Sequence, residues 1–176
     1  MLLSKTVTVA ATAEPVTVAE VKTSARLDSD MTDLDAHIGT LIAAARGEAE
    51  QETSREFVSQ TWRLEYTDWP RETLPLSPVT SLVTVDYFDG ATWQAAAGCA
   101  LQARPNKRSV LAIPPDLLSA LGSQDGARVR VTVVAGYAAL PAGIKAWITA
   151  ASACMARNEA PPAYLDGLLD AERDWQ

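Results

Sequence analysis

The stretch Arg128-Val129-Arg130-Val131-Thr132-Val133-Val134 is the clearest secondary-structure signal in this chain of 176 residues. Valine and threonine dominate it, and β-branched residues of this kind favour strands. Gly136-Tyr137 follows and ends the pattern. The stretch therefore predicts a β-strand near residues 128–134, and the chain around it must supply the neighbouring strands.

Two further strands are predicted upstream of this stretch. Trp62, Leu64 and Tyr66 alternate with polar residues, which is the period of a half-buried strand. A second strand is expected at 79–88. The segment between them contains several prolines and is predicted to be a loop, because proline does not fit a helix interior.

A hairpin and shorter strands follow. Asp89-Gly90 is a hairpin signal, because glycine tolerates a positive φ. The return strand is expected at 91–94, and short strands are expected at 101–104 and 110–113. The whole β-rich insert is predicted to occupy about 57–135.

Helical patterns flank this insert. Thr17 and Glu20 have the spacing of a capping box, so a helix is predicted at about 17–26. Thr32 is expected to cap a second helix, at 33–52, whose apolar residues recur with the helical period. Pro141 is expected at the start of a third helix, at 141–157, where its missing N–H costs nothing.

The order of elements predicts an α+β fold. We expect a small helical bundle with an inserted antiparallel β segment and a short C-terminal helix. The main domain is expected at 14–157, and the tail helix at 158–176. Residues 1–13 are expected to form an N-terminal arm, which is either loose or paired as an edge strand.

Composition excludes some classes of protein. The net charge is −7 and the pI is about 4.7, which disfavours a dedicated DNA- or RNA-binding module and a polybasic membrane-surface protein. We find no signal peptide and no apolar run of about 18–20 residues, so we expect synthesis and folding in the cytoplasm and no membrane partner. Cys99 and Cys154 are then expected to be free thiols.

No catalytic, cofactor-binding or metal-binding residues are predicted. His37 is the only histidine, and no nucleophile elbow, zinc spacing or phosphate-binding glycine loop accompanies it. The acidic stretch 28–35 is faintly similar to a calcium loop but lacks its glycine and its terminal glutamate. We interpret this stretch as a charged helix start.

One basic cluster stands out against the acidic background. Arg104, Lys107 and Arg108 lie at a predicted turn between strands. A solvated turn accounts for them. The alternative is a contact with an acidic neighbouring subunit or a glancing contact with nucleic-acid phosphates.

The C-terminal segment is amphipathic and is cut off by Pro161-Pro162. A helix of about ten residues is too short to be stable alone, so it must dock on a surface. That surface is either its own bundle or a groove on a partner. The residues with helical spacing, which are predicted to bind a partner in the second case, are Tyr164, Leu165, Leu168, Leu169 and Trp175.

Three stretches, taken in order, resemble the head–tail connector (adaptor) proteins of siphophage-type particles and gene transfer agents. The first is EPVTVAEVK at 14–22, followed by the helix at 34–52. The second is QTWRL at 60–64 with LPLSPV at 74–79, and the third is VTVVAGY at 131–137 with IKAWI at 144–148. Each motif is degenerate, and their order and spacing carry the resemblance.

This resemblance implies a non-enzymatic virion protein in the particle neck. Identical subunits, commonly about twelve, would form a ring around the DNA channel. The portal protein would lie above the ring, and a stopper or tail-terminator protein would lie below it. DNA would pass without specific binding, which suits an acidic protein.

Two alternatives stay open at this point. One is another neck component, such as a stopper or tail-completion protein. The other is a small enzyme or ligand-binding α+β domain, which would have to rely on carboxylates and His37.

Overall fold

The computed structural model describes residues 1–104, 108–123 and 125–173, and it divides into two compact units. Residues 1–11 and 59–137 form a β unit, and residues 12–58 and 138–176 form a helical unit. The chain thus combines helices with a mainly antiparallel sheet, and the predicted α+β class with a short C-terminal helix is confirmed.

The β unit contains a sheet of five strands and a separate hairpin. Neighbouring strands are antiparallel throughout. In chain order the strands are β1 (Leu2–Val9), β2 (Gln60–Tyr66), β3 (Val79–Phe88), β4 (Trp93–Ala95), β5 (Ala100–Ala103), β6 (Ser109–Ala112) and β7 (Val129–Ala135). The sheet order is β1-β2-β7-β3-β4, and β5 pairs with β6.

The core of the β unit is organised around β7. Its alternate residues Val129, Val131, Val133 and Ala135 are fully buried, as expected for one face of a strand against a core. Val131 pairs with Leu64 on β2 and with Val85 on β3, so three apolar residues form a row across the sheet.

The residues expected to form an N-terminal arm contain β1. This strand pairs antiparallel with β2, from Leu2 opposite Tyr66 to Val9 opposite Thr61. The edge-strand alternative therefore describes these residues. Their threonines and valines suit a pleated edge, and pairing satisfies backbone groups on one side of β1.

The helical unit contains α1 (Val18–Ala25), α2 (Asp35–Thr53) and α3 (Ala142–Ala156). The capping box is confirmed: the Thr17 hydroxyl accepts the Glu20 N–H at 3.2 Å, and the Glu20 carboxylate accepts the Thr17 N–H at 2.8 Å. A short 3₁₀ helix, Thr32–Leu34, precedes α2.

The prediction that Thr32 caps the second helix is wrong. The Thr32 N–H donates to the Asp30 carbonyl at 2.8 Å in a tight turn, and Leu34 is the N-cap without a side-chain hydrogen bond. The buried stripe of α2 is nevertheless the predicted one, with Ile38 and Ile42 each about 1% exposed.

The row across the sheet generates a first prediction. Leu64 is fully buried, so Leu64→Ala removes apolar contacts and leaves a cavity, which typically costs about 2–5 kcal/mol. Leu118 is 49% exposed, so Leu118→Ala should change the free energy of unfolding by only about 0.5 kcal/mol. Denaturant unfolding of both variants makes the measurement. Equal losses would contradict the sheet core described here.

A second prediction concerns pH and the start of α1. The Lys145 ammonium lies 2.7 Å from the Glu20 carboxylate, and with the Thr17 hydrogen bonds it lowers the pKa of Glu20 from 4.5 to about 2. A lowered folded-state pKa stabilises the fold above about pH 4.5, and that contribution is lost as the pH falls towards 2. NMR titration of the Glu20 carboxyl measures this pKa.

Lys145→Met should raise the pKa of Glu20 towards 4.5, because it removes the hydrogen bond and the positive charge of the Lys145 ammonium. Arg71→Met, at an exposed position of the β unit, is the control and should leave the titration unchanged. An unaltered Glu20 pKa in Lys145→Met would contradict the ion pair.

Candidate functional site

Within 1–104, 108–123 and 125–173, no group of three or more His, Cys, Asp or Glu is placed to hold a metal ion. In the same ranges no helix combines the length and apolarity needed to cross a bilayer. His37 is exposed on α2, and Cys99 and Cys154 are free thiols.

The acidic stretch before α2 is organised by a buried lysine. The Lys22 ammonium lies 2.5 Å from the Asp35 carboxylate and donates to the Ser29 carbonyl at 3.2 Å. The side chain of Lys22 is only 7% exposed. The positive charge next to this acidic stretch is therefore the ammonium group of Lys22. Its contacts hold the loop before α2 against α1.

The C-terminal tail docks on its own helical unit. Its 3₁₀ helix, Ala163–Leu168, follows Pro162, and its buried apolar residues are Leu165 (6% exposed) and Leu169 (0%). Gly143 on α3 makes the close approach possible, since a Cβ there would lie 3.1 Å from the Leu168 carbonyl oxygen. The predicted short C-terminal helix is thus a 3₁₀ helix.

Ion pairs fix the end of the tail to the end of α2. The Arg55 guanidinium donates to the Glu172 carbonyl at 2.5 Å and lies 3.5 Å from the Glu172 carboxylate. Arg173 pairs with Glu52 and, at 2.5 Å, with Asp170. Sequence reasoning missed the contacts of Arg55 with Glu172 and of Arg173 with Glu52, because no local pattern links residues more than a hundred positions apart.

The predicted partner-binding residues therefore fall into two sets. Leu165 and Leu169 face the protein's own helices, whereas Tyr164 is 79% exposed and Leu168 is 38% exposed. Trp175 lies outside the described residues. Tyr164 and Leu168 are the members of the predicted set that a partner can reach without displacing the tail.

The predicted basic turn lies at the β5–β6 hairpin. The Arg104 N–H donates to the Arg108 carbonyl at 2.8 Å, which places the two arginines at the mouth of the turn. Arg104 is exposed and Arg108 is half-buried. Lys107 lies outside the described residues.

The two edges of the five-stranded sheet are a feature that sequence reasoning did not identify as a site. β1 forms one edge and exposes Leu3 (43%), Val7 (37%) and Val9 (56%). At the other edge, β4 covers only the end of β3, opposite Asp86 to Phe88. The sequence feature that could have indicated these edges is the low charge of β1 and β4.

Comparisons with known proteins give a likeness in structure only. No family model matches the sequence, and no curated protein matches it. A solved chain described as "Neck of empty GTA particle computed with C6 symmetry" superposes with a TM-score of 0.83 at 22% identity, over 99% of this chain and 97% of that one.

Two further solved chains are similar. One, from "Virion of native gene transfer agent (GTA) particle", has a TM-score of 0.79 at 22% identity over 99% of this chain and 97% of that chain. The other, from "Neck of native GTA particle computed with C12 symmetry", has a TM-score of 0.69 at 22% identity, covering 100% and 96%. At this identity the likeness establishes the fold of the whole chain.

The docked tail generates a third prediction. Leu169→Ala removes a fully buried side chain, so the tail should loosen and hydrogen exchange at 163–173 should accelerate. The amides of Glu172 and Arg173 are the direct reporters, because both donate to the Leu169 carbonyl.

Leu168→Ala is the matched control on the same segment, since Leu168 is 38% exposed. Its exchange should match that of the unmodified protein. Equal acceleration in the two variants would contradict the division of the tail into a buried side and an exposed side.

Proposed function

We propose that this chain is a structural, non-enzymatic subunit of the neck of a phage-like particle, and specifically a head–tail connector (adaptor). Identical copies form a ring around the DNA channel. The portal protein lies on one side of this ring, and a stopper or tail-terminator protein lies on the other. The particle is a virion or a gene-transfer particle assembled in a bacterial host.

The observation that carries the proposal is the extent of the likeness to a neck chain. It covers 99% of this chain and 97% of that chain. The likeness therefore includes both the β unit and the helical unit, and is not limited to a small motif that many unrelated proteins share. A neck role for that chain is stated by its description, and shared architecture over the full length supports the same role here.

The sequence stretches that resemble connectors support the proposal independently. The first corresponds to α1 and α2, the second to β2 and the loop before β3, and the third to β7 and α3. These elements form the centre of the sheet and the bundle. The resemblance therefore rests on the residues that build the framework rather than on variable loops.

Symmetry and charge support a ring around DNA. Two of the similar neck chains come from reconstructions with C6 and C12 symmetry, and twelve copies satisfy both. The net charge of −7 opposes tight phosphate binding, which suits a channel through which DNA must slide. Tyr164 and Leu168, together with the turn containing Arg104, Lys107 and Arg108, are our candidates for contacts with neighbouring proteins or with the channel.

The fourth prediction tests this function by mass. Light scattering should show either a ring of about twelve subunits or a monomer that becomes such a ring when the portal protein of the same particle is added. The portal protein alone and an unrelated acidic protein of similar mass are the controls. A monomer that stays a monomer with portal would contradict the adaptor role and favour another neck component.

A further inference from the structure

We infer that β1 of one subunit pairs, as an antiparallel strand, with the uncovered part of β3 in the neighbouring subunit. The contact joins the sheets of successive copies edge to edge. It deepens the proposed function, on which it rests, by naming the surfaces through which a ring would close.

β1 has the properties of an edge strand that can pair with a strand of another subunit. It is eight residues long, and it contains neither proline nor any charged residue other than Lys5. Among the described residues, β2 is the only strand that pairs with it. Its exposed apolar residues are Leu3, Val7 and Val9. Natural sheets protect such edges with short strands, charges, proline or β-bulges. β1 has one charge and two register shifts, but its length still makes it a template for another chain.

The opposite edge offers a complementary gap. β4 pairs with β3 only at residues 86–88, and the Ala96 N–H donates to the Val85 carbonyl at 2.7 Å. Within the described residues, no strand is hydrogen-bonded to the outer side of 79–84, although β5 approaches β3. Thr80, Ser81, Val83 and Thr84 are exposed there, and Val83 is 52% exposed.

A groove of about 410 Å³ lies beside this gap. Alanine and valine dominate its lining, and Asp86 is the only charged residue among its described lining residues. β1 carries a single cation, Lys5, whose ammonium lies 4.4 Å from the centroid of the Trp62 ring, so the two surfaces are alike in low charge. An eight-residue strand is long enough to cover the six uncovered residues of β3.

Strand direction and symmetry select the same arrangement. β1 runs parallel to β7 and opposite to β3, because each successive pair in the sheet is antiparallel. In a twelvefold ring, neighbouring copies are rotated by only about 30°, so the neighbour's β1 keeps this direction and meets β3 antiparallel. A β1-to-β1 contact would instead be isologous and would close at a dimer.

The fifth prediction uses one charged variant on each surface. Val7→Lys disables the β1 surface and Val83→Lys disables the β3 surface, because an added charge at an edge opposes strand pairing. Under the condition in which the unmodified protein forms its ring, each variant alone should remain a monomer, an about twelvefold loss of mass. Leu118→Lys, at a side chain that is 49% exposed, is the control and should keep the ring.

Mixing the two variants makes the test specific. An equimolar mixture of Val7→Lys and Val83→Lys contains one intact β1 surface and one intact β3 surface, so it should form heterodimers and stop there. Native mass spectrometry after chemical cross-linking counts the subunits. Val9→Lys and Ser81→Lys are second variants of the same surfaces, and unchanged circular dichroism confirms that each variant is folded.

The outcomes separate this inference from the proposed function. A ring that survives either edge variant overturns strand pairing and leaves the adaptor role intact; the register shifts in β1 and β3 would then serve to blunt free edges. A dimer lost only with Val7→Lys indicates a β1-to-β1 contact and also overturns it. Absence of any ring in the unmodified protein, with or without portal, overturns both.

Discussion

The pairing of β7 with β2 and β3 is the constraint on which the β unit depends. A strand buries alternate residues, so a slip of one position would turn Val129, Val131 and Val133 away from the core and expose them. The fully buried row through Leu64 and Val131 therefore fixes the register of the three central strands. β1 and β4 are then added to a sheet whose register is already set. Gly136 ends β7 with a φ of +121° and donates to the Pro78 carbonyl at 2.9 Å, a conformation that favours glycine.

Local periodicity in the sequence was enough to predict the central strands and helices. Features that depend on contacts between distant residues could not be predicted from it. The patterns of β2, β3, β7 and the three helices place these elements within two residues of their observed bounds. The pairing of β1 could not be chosen from sequence, because its partner lies more than fifty residues away. Thr32 failed as a cap for a different reason. A 3₁₀ helix, Thr32–Leu34, comes first, so α2 begins only at Asp35 and Leu34 occupies the N-cap position.

The C-terminal tail, a candidate site, shows the same limit of prediction from local sequence patterns. Residues four positions apart lie on one side of a helix, so sequence spacing groups Leu165 with Leu169 and Tyr164 with Leu168. It does not say which pair faces the protein. The choice depends on α3, where Gly143 leaves room for the tail backbone, and on Arg55 and Glu172, which meet across the length of the chain. The buried pair stabilises the subunit, and the exposed pair is left for contacts outside it.

Charge and edge chemistry together explain why assembly would need a directional contact. Each copy carries a net charge of −7, so a ring of copies accumulates like charge, and salt screens it only beyond about 8 Å. Net electrostatic repulsion therefore opposes association of these copies. A strand edge differs, because it offers backbone hydrogen bonds that depend on direction and register, and both proposed surfaces are nearly free of charge. Pairing between two different edges of one sheet gives head-to-tail growth, so this contact would lead to a closed ring when the rotation between copies permits it.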